Sequence, residues 1–344
     1  MDTDTQTLDL KAVDAYLAAN LQGFKGPLTA SKFQRGQSNP TFLLETPEKR
    51  YVLRRKPPGV LLKSAHAVDR EFRVQSALAG SAVPVAKMHL LCMDGDVIGS
   101  AFYVMDHVVG RNFNDPTMPD QTPSQRAAVI GDMNRVLAAL HSVDIDAVGL
   151  SDFGPPGNYY ERQIGRWTKQ YRASETKPVA AMDRLMAALG EHMPAEDGQR
   201  TLVHGDYRID NMMFEADGTK CLAVLDWELS TIGHPFADLA SIIMQWQMPA
   251  GAEGRGLAGI DRAALGLPSD QEFIDQYCAR RGLAGIDNFG FYLAFCFFRM
   301  AGIIQGVYKR ALDGNASNPE RALKTGAYVP VFAENGLKAL GERV

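Results

Sequence analysis

The stretch from Thr201 to Ala240, TLVHGDYRIDNMMFEADGTKCLAVLDWELSTIGHPFADLA, constrains this chain more than any other. It sets one His-x-Asp, further carboxylates and an Asn between short apolar runs. Leu202-Val203 leads in, His204-Gly205-Asp206 follows, and Asn211 comes five residues after Asp206. Met212-Met213-Phe214 is apolar again. Ala216-Asp217-Gly218 is a turn signal, because Gly after Asp readily supplies positive φ. Leu222-Ala223-Val224-Leu225 reads as a buried strand that ends on Asp226. Loop, short strand, turn and second strand make a hairpin that brings Asp206, Asn211 and Asp226 to one end.

Three oxygen ligands so placed suit a hard cation. Mg²⁺ is usually held by one or two carboxylates, with waters and substrate phosphates completing its octahedron. An Asp not spent on metal can accept a proton from a hydroxyl nucleophile. A base or orienter for the hydroxyl, with metal to neutralise phosphates, is what phosphoryl transfer requires.

The rest of the composition narrows the setting. With 344 residues, 46% hydrophobic and 22% charged, the chain reads as soluble, with about two domains and a sizeable core. A formal net charge of −4 gives no broad attraction to nucleic acid, so phosphorylated ligands need local sites. Cys92, Cys221, Cys278 and Cys296 are far apart with no CxxC pair, which points to reduced packing residues in a cytoplasmic protein. MDTDTQTLDL is polar and acidic, unlike a signal or transit peptide. The longest apolar stretch, Phe289 to Ile304, carries Arg299 and two glycines, is short for a bilayer span, and reads as a core helix with no membrane partner.

Along the chain, Leu10, Val13 and Leu17 predict an amphipathic helix over Asp9 to Asn20. Ser31 to Gln34, Thr41 to Thr46 and Tyr51 to Arg55 read as strands, Ala67 to Leu78 as a helix, and Met88 to Cys92 and Phe102 to Met105 as two more strands. After Val109-Gly110 the pattern turns helical: Ser124 to His141 with Ser124 as N-cap, Asn158 to Tyr171, and Pro178 to His192. Helices resume at Asp238 to Gln247, Asp270 to Arg281, Phe289 to Leu312 and Pro319 to Leu340, and the Gly- and Ala-rich Met248 to Leu267 reads as an exposed excursion.

GQSNPTFLLET, RYVLRRKPPG, HAVDREFRV, FYVMDHVVGR and the HGDYRIDN…VLDWE stretch together resemble the aminoglycoside phosphotransferase family, and most of all its branch associated with acyl-CoA dehydrogenases. The resemblance runs from about Phe33 to the C-terminal helices. It implies a bilobal α+β, protein-kinase-like fold: residues 1–106 as a five-stranded antiparallel N-lobe with an N-terminal helix and one helix between the third and fourth strands, and residues 107–344 as a mainly helical C-lobe with the catalytic loop and acceptor site.

It also implies roles in an ATP- and Mg²⁺-dependent transfer to a small-molecule hydroxyl. Gly36-Gln37-Ser38-Asn39 takes the place of the glycine-rich loop, with Ser38 and Asn39 as donors to phosphate; on its own it is an ordinary hairpin loop. Period two puts Val52 and Arg54 on one strand face, Val52 to roof adenine and Arg54 in place of the usual lysine. Arg55 or Lys56 takes that part if the register slips, and Glu71 is the partner that holds the cation. The Asp106 carbonyl and Val108 N–H are linker groups for the adenine edge, beside a solvated His107. Asp206 is implied as base, Asn211 and Asp226 as Mg²⁺ ligands, and Arg208 as a contact to the transferred phosphoryl group or else a surface Arg. His204 and Asp238 are structural supports of the loop. Trp227-Glu228 after the metal Asp is the small-molecule kinase pattern and disfavours a protein substrate.

The acceptor stays open between a hydroxyacyl-CoA, which the dehydrogenase-linked branch suggests, and an aminoglycoside or a choline-like amino alcohol. A nucleotide-binding pseudokinase is a further reading, kept alive by Arg54 and the sparse loop. Tyr159, Tyr160, Trp167 and Tyr171 have the helical spacing of core residues before that of a pocket.

Overall fold

A computed structural model describes residues 8–33, 39–57, 67–251, 255–316 and 318–342. The first helix, α1 (Leu10–Asn20), is capped by Asp9, whose carboxylate accepts from the Ala12 amide at 3.0 Å. Then come β1 (Thr29–Lys32), β2 (Thr41–Glu45), β3 (Arg50–Arg55), α2 (Val68–Ala77), β4 (Met88–Cys92) and β5 (Phe102–Asp106). The strands form one antiparallel five-stranded sheet in the order β1-β2-β3-β5-β4.

Alternation decides the two faces of this sheet. Phe42 and Leu44 of β2, Tyr51 and Leu53 of β3, and Phe102 and Val104 of β5 pack with Val13 and Leu17 of α1. The other face presents Arg54 and Tyr103 to Glu71 of α2. Val74 of α2 and Leu78, its C-cap, join the larger core of the helical part, so α2 belongs by packing to both lobes.

That helical part comprises α3 (Pro123–His141), α4 (Tyr159–Ser174), α5 (Ala180–Glu191), β6 (Thr201–Val203), β7 (Met212–Phe214), β8 (Cys221–Val224), β9 (Thr231–Gly233), α6 (Phe236–Trp246), α7 (Arg262–Leu265), α8 (Asp270–Arg281), α9 (Phe289–Leu312), α10 (Pro319–Thr325) and α11 (Val329–Ala339). β7 pairs with β8, and β6 with β9, both antiparallel. The architecture is the bilobal α+β one that the motifs imply.

Two elements depart from expectation. The cap of α3 is Thr122, in a capping box with Gln125, because Pro123 lacks an N–H and sits at the first helical position. The stretch from Pro319 is not one helix: Gly326 lies too close to the Tyr308 ring for any Cβ, and Pro330 opens a new helix. The segment after Met248 is exposed over most of its described residues, as expected, but it carries α7 and buries Leu257 and Leu267. α9 keeps its expected bounds and core role: its 24 residues are long and apolar enough by length and composition to cross a membrane, and it buries Phe291, Phe295, Phe298 and Ala301 in the core.

Candidate active site

The loop after β6 and the β7–β8 hairpin meet as the turn chemistry predicts. Met212 pairs with Val224, and the Leu225 amide donates to the Asn211 carbonyl at 2.8 Å, so Asn211 and Asp226 end up beside each other. Asn211 Nδ2 donates to the Asp206 carbonyl at 2.9 Å and to its Oδ2 at 3.0 Å. Its amide nitrogen is thereby committed, and its carbonyl oxygen is the atom left for a cation. Asp226 has φ +63° and ψ +58°, left-handed backbone that Asp tolerates better than most residues.

Asp238 in the first turn of α6 holds this loop in place. Its Oδ2 accepts from the His204 amide at 2.7 Å and its Oδ1 from the Gly205 amide at 2.8 Å. His141 Nε2 lies 3.3 Å from Oδ2, and His141 Nδ1 lies 2.7 Å from the Tyr277 hydroxyl. The carboxylate can only accept, so Nε2 carries the proton and Nδ1 accepts from tyrosine. Burial works to raise the Asp238 carboxyl, but hydrogen bonds and charge from its His neighbours win and hold it below its ordinary value. Burial lowers His141. His204 Nε2 donates to the Leu225 carbonyl at 2.8 Å, which leaves Nδ1 to accept from the Asp206 amide at 3.3 Å. His204 is therefore a brace between loop and hairpin.

Of the three candidate cations, Arg54 reaches this hairpin. Arg54 Nε is 3.0 Å from Glu71 Oε2, and Nη2 is 2.7 Å from Asp226 Oδ1 and 3.7 Å from Glu228 Oε2. Burial works to lower this guanidinium, and Glu71, Asp226 and Glu228 outweigh it, so it stays charged. Arg55 points to the other face and lies over the Phe42 ring at 5.6 Å, while Lys56 faces Asp69 at 3.9 Å. Glu71 also accepts from Tyr103 at 3.0 Å and from Asn39 Nδ2 at 2.8 Å.

That last bond corrects one expectation. Asn39 is buried with its amide nitrogen on Glu71, not aimed at phosphate, because a buried carboxylate demands donors. Ser38 lies outside the described residues. Val52 is buried on the cleft-facing side of β3 with Arg54. Asp106 ends β5, and its carboxylate is taken by Lys49 at 2.7 Å and His89 at 2.6 Å. Val108 follows, half-buried, while His107 is half-buried rather than solvated. Arg208 is no free surface residue: Nη2 donates to Asp210 Oδ2 at 2.6 Å, and Nε lies 3.7 Å from Asp206 Oδ1.

Sequence reasoning missed Tyr103, His141 and Arg255. Arg255, at φ +52°, donates to the same Asp210 oxygen as Arg208, at 2.9 Å. No periodicity announces such contacts. Arg299 carried a signal, as the one charge in an apolar helix run; its Nη2 donates to the Gly205 carbonyl at 2.9 Å. Among the described residues no three His, Cys, Asp or Glu side chains converge as a metal cage. One carboxylate beside an Asn carbonyl oxygen still fits Mg²⁺, which takes few protein ligands when a substrate brings phosphates.

The profile of the phosphotransferase enzyme family matches residues 29–277. The chain belongs to this family. It is 43% identical over 340 residues to acyl-CoA dehydrogenase family member 11 of Rattus norvegicus, covering 96% of this chain and 43% of that protein. It thus spans less than half the length of that relative. It superposes with a TM-score of 0.90 on a Ralstonia eutropha protein classed with the aminoglycoside phosphotransferases, at 48% identity over 97% of this chain and 99% of the other. Aminoglycoside phosphotransferase APH(4)-Ia, in a ternary complex with AMP-PNP and hygromycin B, shares the fold at a TM-score of 0.63 and 17% identity, over 95% of this chain and 98% of that one.

Proposed function

We propose that this phosphotransferase moves the γ-phosphoryl group of ATP to a hydroxyl of a small molecule, with a hydroxyacyl-CoA as acceptor. The observation that carries the first part is the bonded set Asp206–Asn211 facing Asp226 and Arg54. Asp206, held by Asn211 and by the braced loop, accepts the hydroxyl proton. Asn211 and Asp226 would hold Mg²⁺, which when bound neutralises phosphate charge. Arg54, kept charged by Glu71, faces the phosphates. The Asp106 carbonyl and the Val108 N–H meet the adenine edge, under Val52. Residues 1–106 then serve mainly the nucleotide, and the helical part the acceptor. AMP-PNP in APH(4)-Ia supports a nucleotide donor. The name of the rat relative supports an acyl-CoA acceptor. The buried free cysteines fit a cytoplasmic setting.

The test is ADP release with Mg·ATP over a panel of hydroxyacyl-CoAs, free hydroxy acids, aminoglycosides and amino alcohols. Asp206→Asn should lower kcat by about 10²–10⁴ on the preferred acceptor, the usual size of a general-base contribution. Turnover confined to aminoglycosides or amino alcohols would replace the acceptor assignment. ATP binding without turnover on any acceptor would point to a pseudokinase.

A further inference from the structure

Asp210 accepts from two arginines, and no step above uses it. Arg208 Nη2 lies 2.6 Å from its Oδ2, and Arg255 Nη1 lies 2.9 Å from the same oxygen. Arg208 Nε faces a second carboxylate, Asp206, but stops 3.7 Å from Oδ1. That is beyond hydrogen-bonding distance. Arg208 Nε is also buried with no hydrogen-bond partner. A buried N–H left unpaired is costly, yet the carboxylate that would accept this one stands just out of reach. The guanidinium is therefore held back from Asp206.

Several elements build what holds it. The Asp210 side chain is the more buried of the two acids, 13% exposed against 35% for Asp206. Its backbone is fixed by Asn112, whose Nδ2 donates to the Asp210 carbonyl and, at 3.1 Å, to the Met212 carbonyl. Arg255 comes from the segment after α6. There the Gly256 amide donates to the Pro249 carbonyl at 3.0 Å, and the Ala258 amide to the Met248 carbonyl at 3.0 Å. A Cβ on Gly256 would lie 1.9 Å from the Met248 carbonyl oxygen, so the segment closes this tightly only around glycine. Arg255 takes left-handed backbone, φ +52°, in reaching Asp210, a strained conformation that persists only where its surroundings enforce it.

Resting on the kinase reading above, we propose that Asp210, fixed by Arg255, is a positioning residue that holds the Arg208 guanidinium off Asp206. Two things follow for the reaction. Asn211 takes the Asp206 backbone carbonyl and Oδ2, so Oδ1 is the atom kept for the hydroxyl proton. Arg208 keeps its Nε–H unspent beside the base, ready for charge that develops on the phosphoryl group. Without Asp210 the guanidinium closes on Asp206, and a single ion pair caps the base and consumes the donor.

The experiment is a double-mutant cycle of Asp210→Ala and Arg208→Ala, read as kcat and KM on the acceptor found by the panel, together with a crystal structure of Asp210→Ala. Asp210→Ala should lower kcat by about tenfold or more when Arg208 is intact, and by less than about twofold in the Arg208→Ala background. Asp210→Asn keeps an accepting oxygen and should lose less than Asp210→Ala. Arg255→Ala should also lose less, and wild-type kcat in that variant would remove Arg255 from the assignment. Thermal unfolding and AMP-PNP affinity check that each variant is folded. In the crystal structure Arg208 Nε should sit about 3 Å from Asp206 Oδ1. Equal fold-losses in the two backgrounds, or Arg208 still at its wild-type distance, would overturn the proposal. A wild type that turns over no acceptor would sink the kinase reading, while the crystal structure still reads the hold on Arg208 by itself.

Discussion

At Arg54 one guanidinium stands among three carboxylates, Glu71, Asp226 and Glu228. Such an arrangement adds little net stability, because desolvating ions offsets most of their attraction. Removing the cation alone is costly. Arg54→Met should cost about 3–5 kcal/mol, since Glu71 is left buried without its charge partner. Burial already raises Glu71, and Arg54 is the first influence opposing that rise. Without Arg54 its folded pKa climbs further above the unfolded value. The loss in stability should then be small at low pH, where Glu71 is protonated in both states, and should grow as pH rises through the folded pKa. Urea unfolding of variant and wild type at pH 5 and pH 8 measures this; a pH-independent difference would mean that Glu71 does not carry the cost. Arg54→Lys should lose less stability, because it keeps the charge, but Lys offers a point charge where Arg spans two carboxylates.

At the scale of elements, α6 and α3 work as a unit through Asp238 and His141. His141 is lowered by burial, so below about pH 6.5 the unfolded chain takes up a proton that the folded protein resists. Stability from this group is present above pH 6.5 and is lost as pH falls toward the folded value, at up to about 1.4 kcal/mol per unit. Asp238 is held low, so its contribution is present above its unfolded value and lost only as pH falls through the folded one. Thermal midpoints from pH 8 to pH 5 should fall more steeply for wild type than for His141→Gln, after each is referenced to its own pH 8 value. Parallel curves would show that His141 is not the group titrating. These helices also mark what the sequence discloses. The hairpin, the α9 bounds and the tie from Asp238 to the loop were legible, because turn chemistry, apolar runs and a nearby acid are local signals. His141 to Asp238, Asn39 to Glu71 and Arg255 to Asp210 were not, because each joins residues whose encounter depends on how whole elements pack. The need for glycine at 326 was hidden for the same reason: a Cβ there would meet the Tyr308 ring on another helix.

Across the whole molecule, the lobes are joined by more than the linker after Asp106. Arg70 of α2 donates through Nη2 to the Phe153 carbonyl at 2.7 Å and to the Ser230 carbonyl at 3.3 Å, with its guanidinium 4.0 Å from the Phe153 ring centroid. Arg73 adds a bond to the Gly149 carbonyl at 2.8 Å and an ion pair with Asp152. The Val224 amide reaches the Pro84 carbonyl at 2.9 Å. Glu71 follows Arg70 directly, so the clamp that fixes α2 on the C-lobe also fixes Glu71, and through it Arg54, against Asp226. Arg70→Ala should therefore cost about 1.5–3 kcal/mol, as expected for hydrogen bonds from a charged donor, and should lower kcat with little change in the acceptor KM, because only the alignment of Arg54, the cation proposed to face phosphate, is disturbed. Arg73→Ala, whose ion pair is largely exposed, should cost under about 1 kcal/mol and leave kcat near wild type. Chemical unfolding and steady-state kinetics on the two variants separate the effects. An Arg70→Ala protein that is destabilised but turns over at the wild-type rate would show that the position of α2 does not govern the Arg54–Asp226 contact. Proportional losses in both variants would place the clamp in general stability rather than in the site.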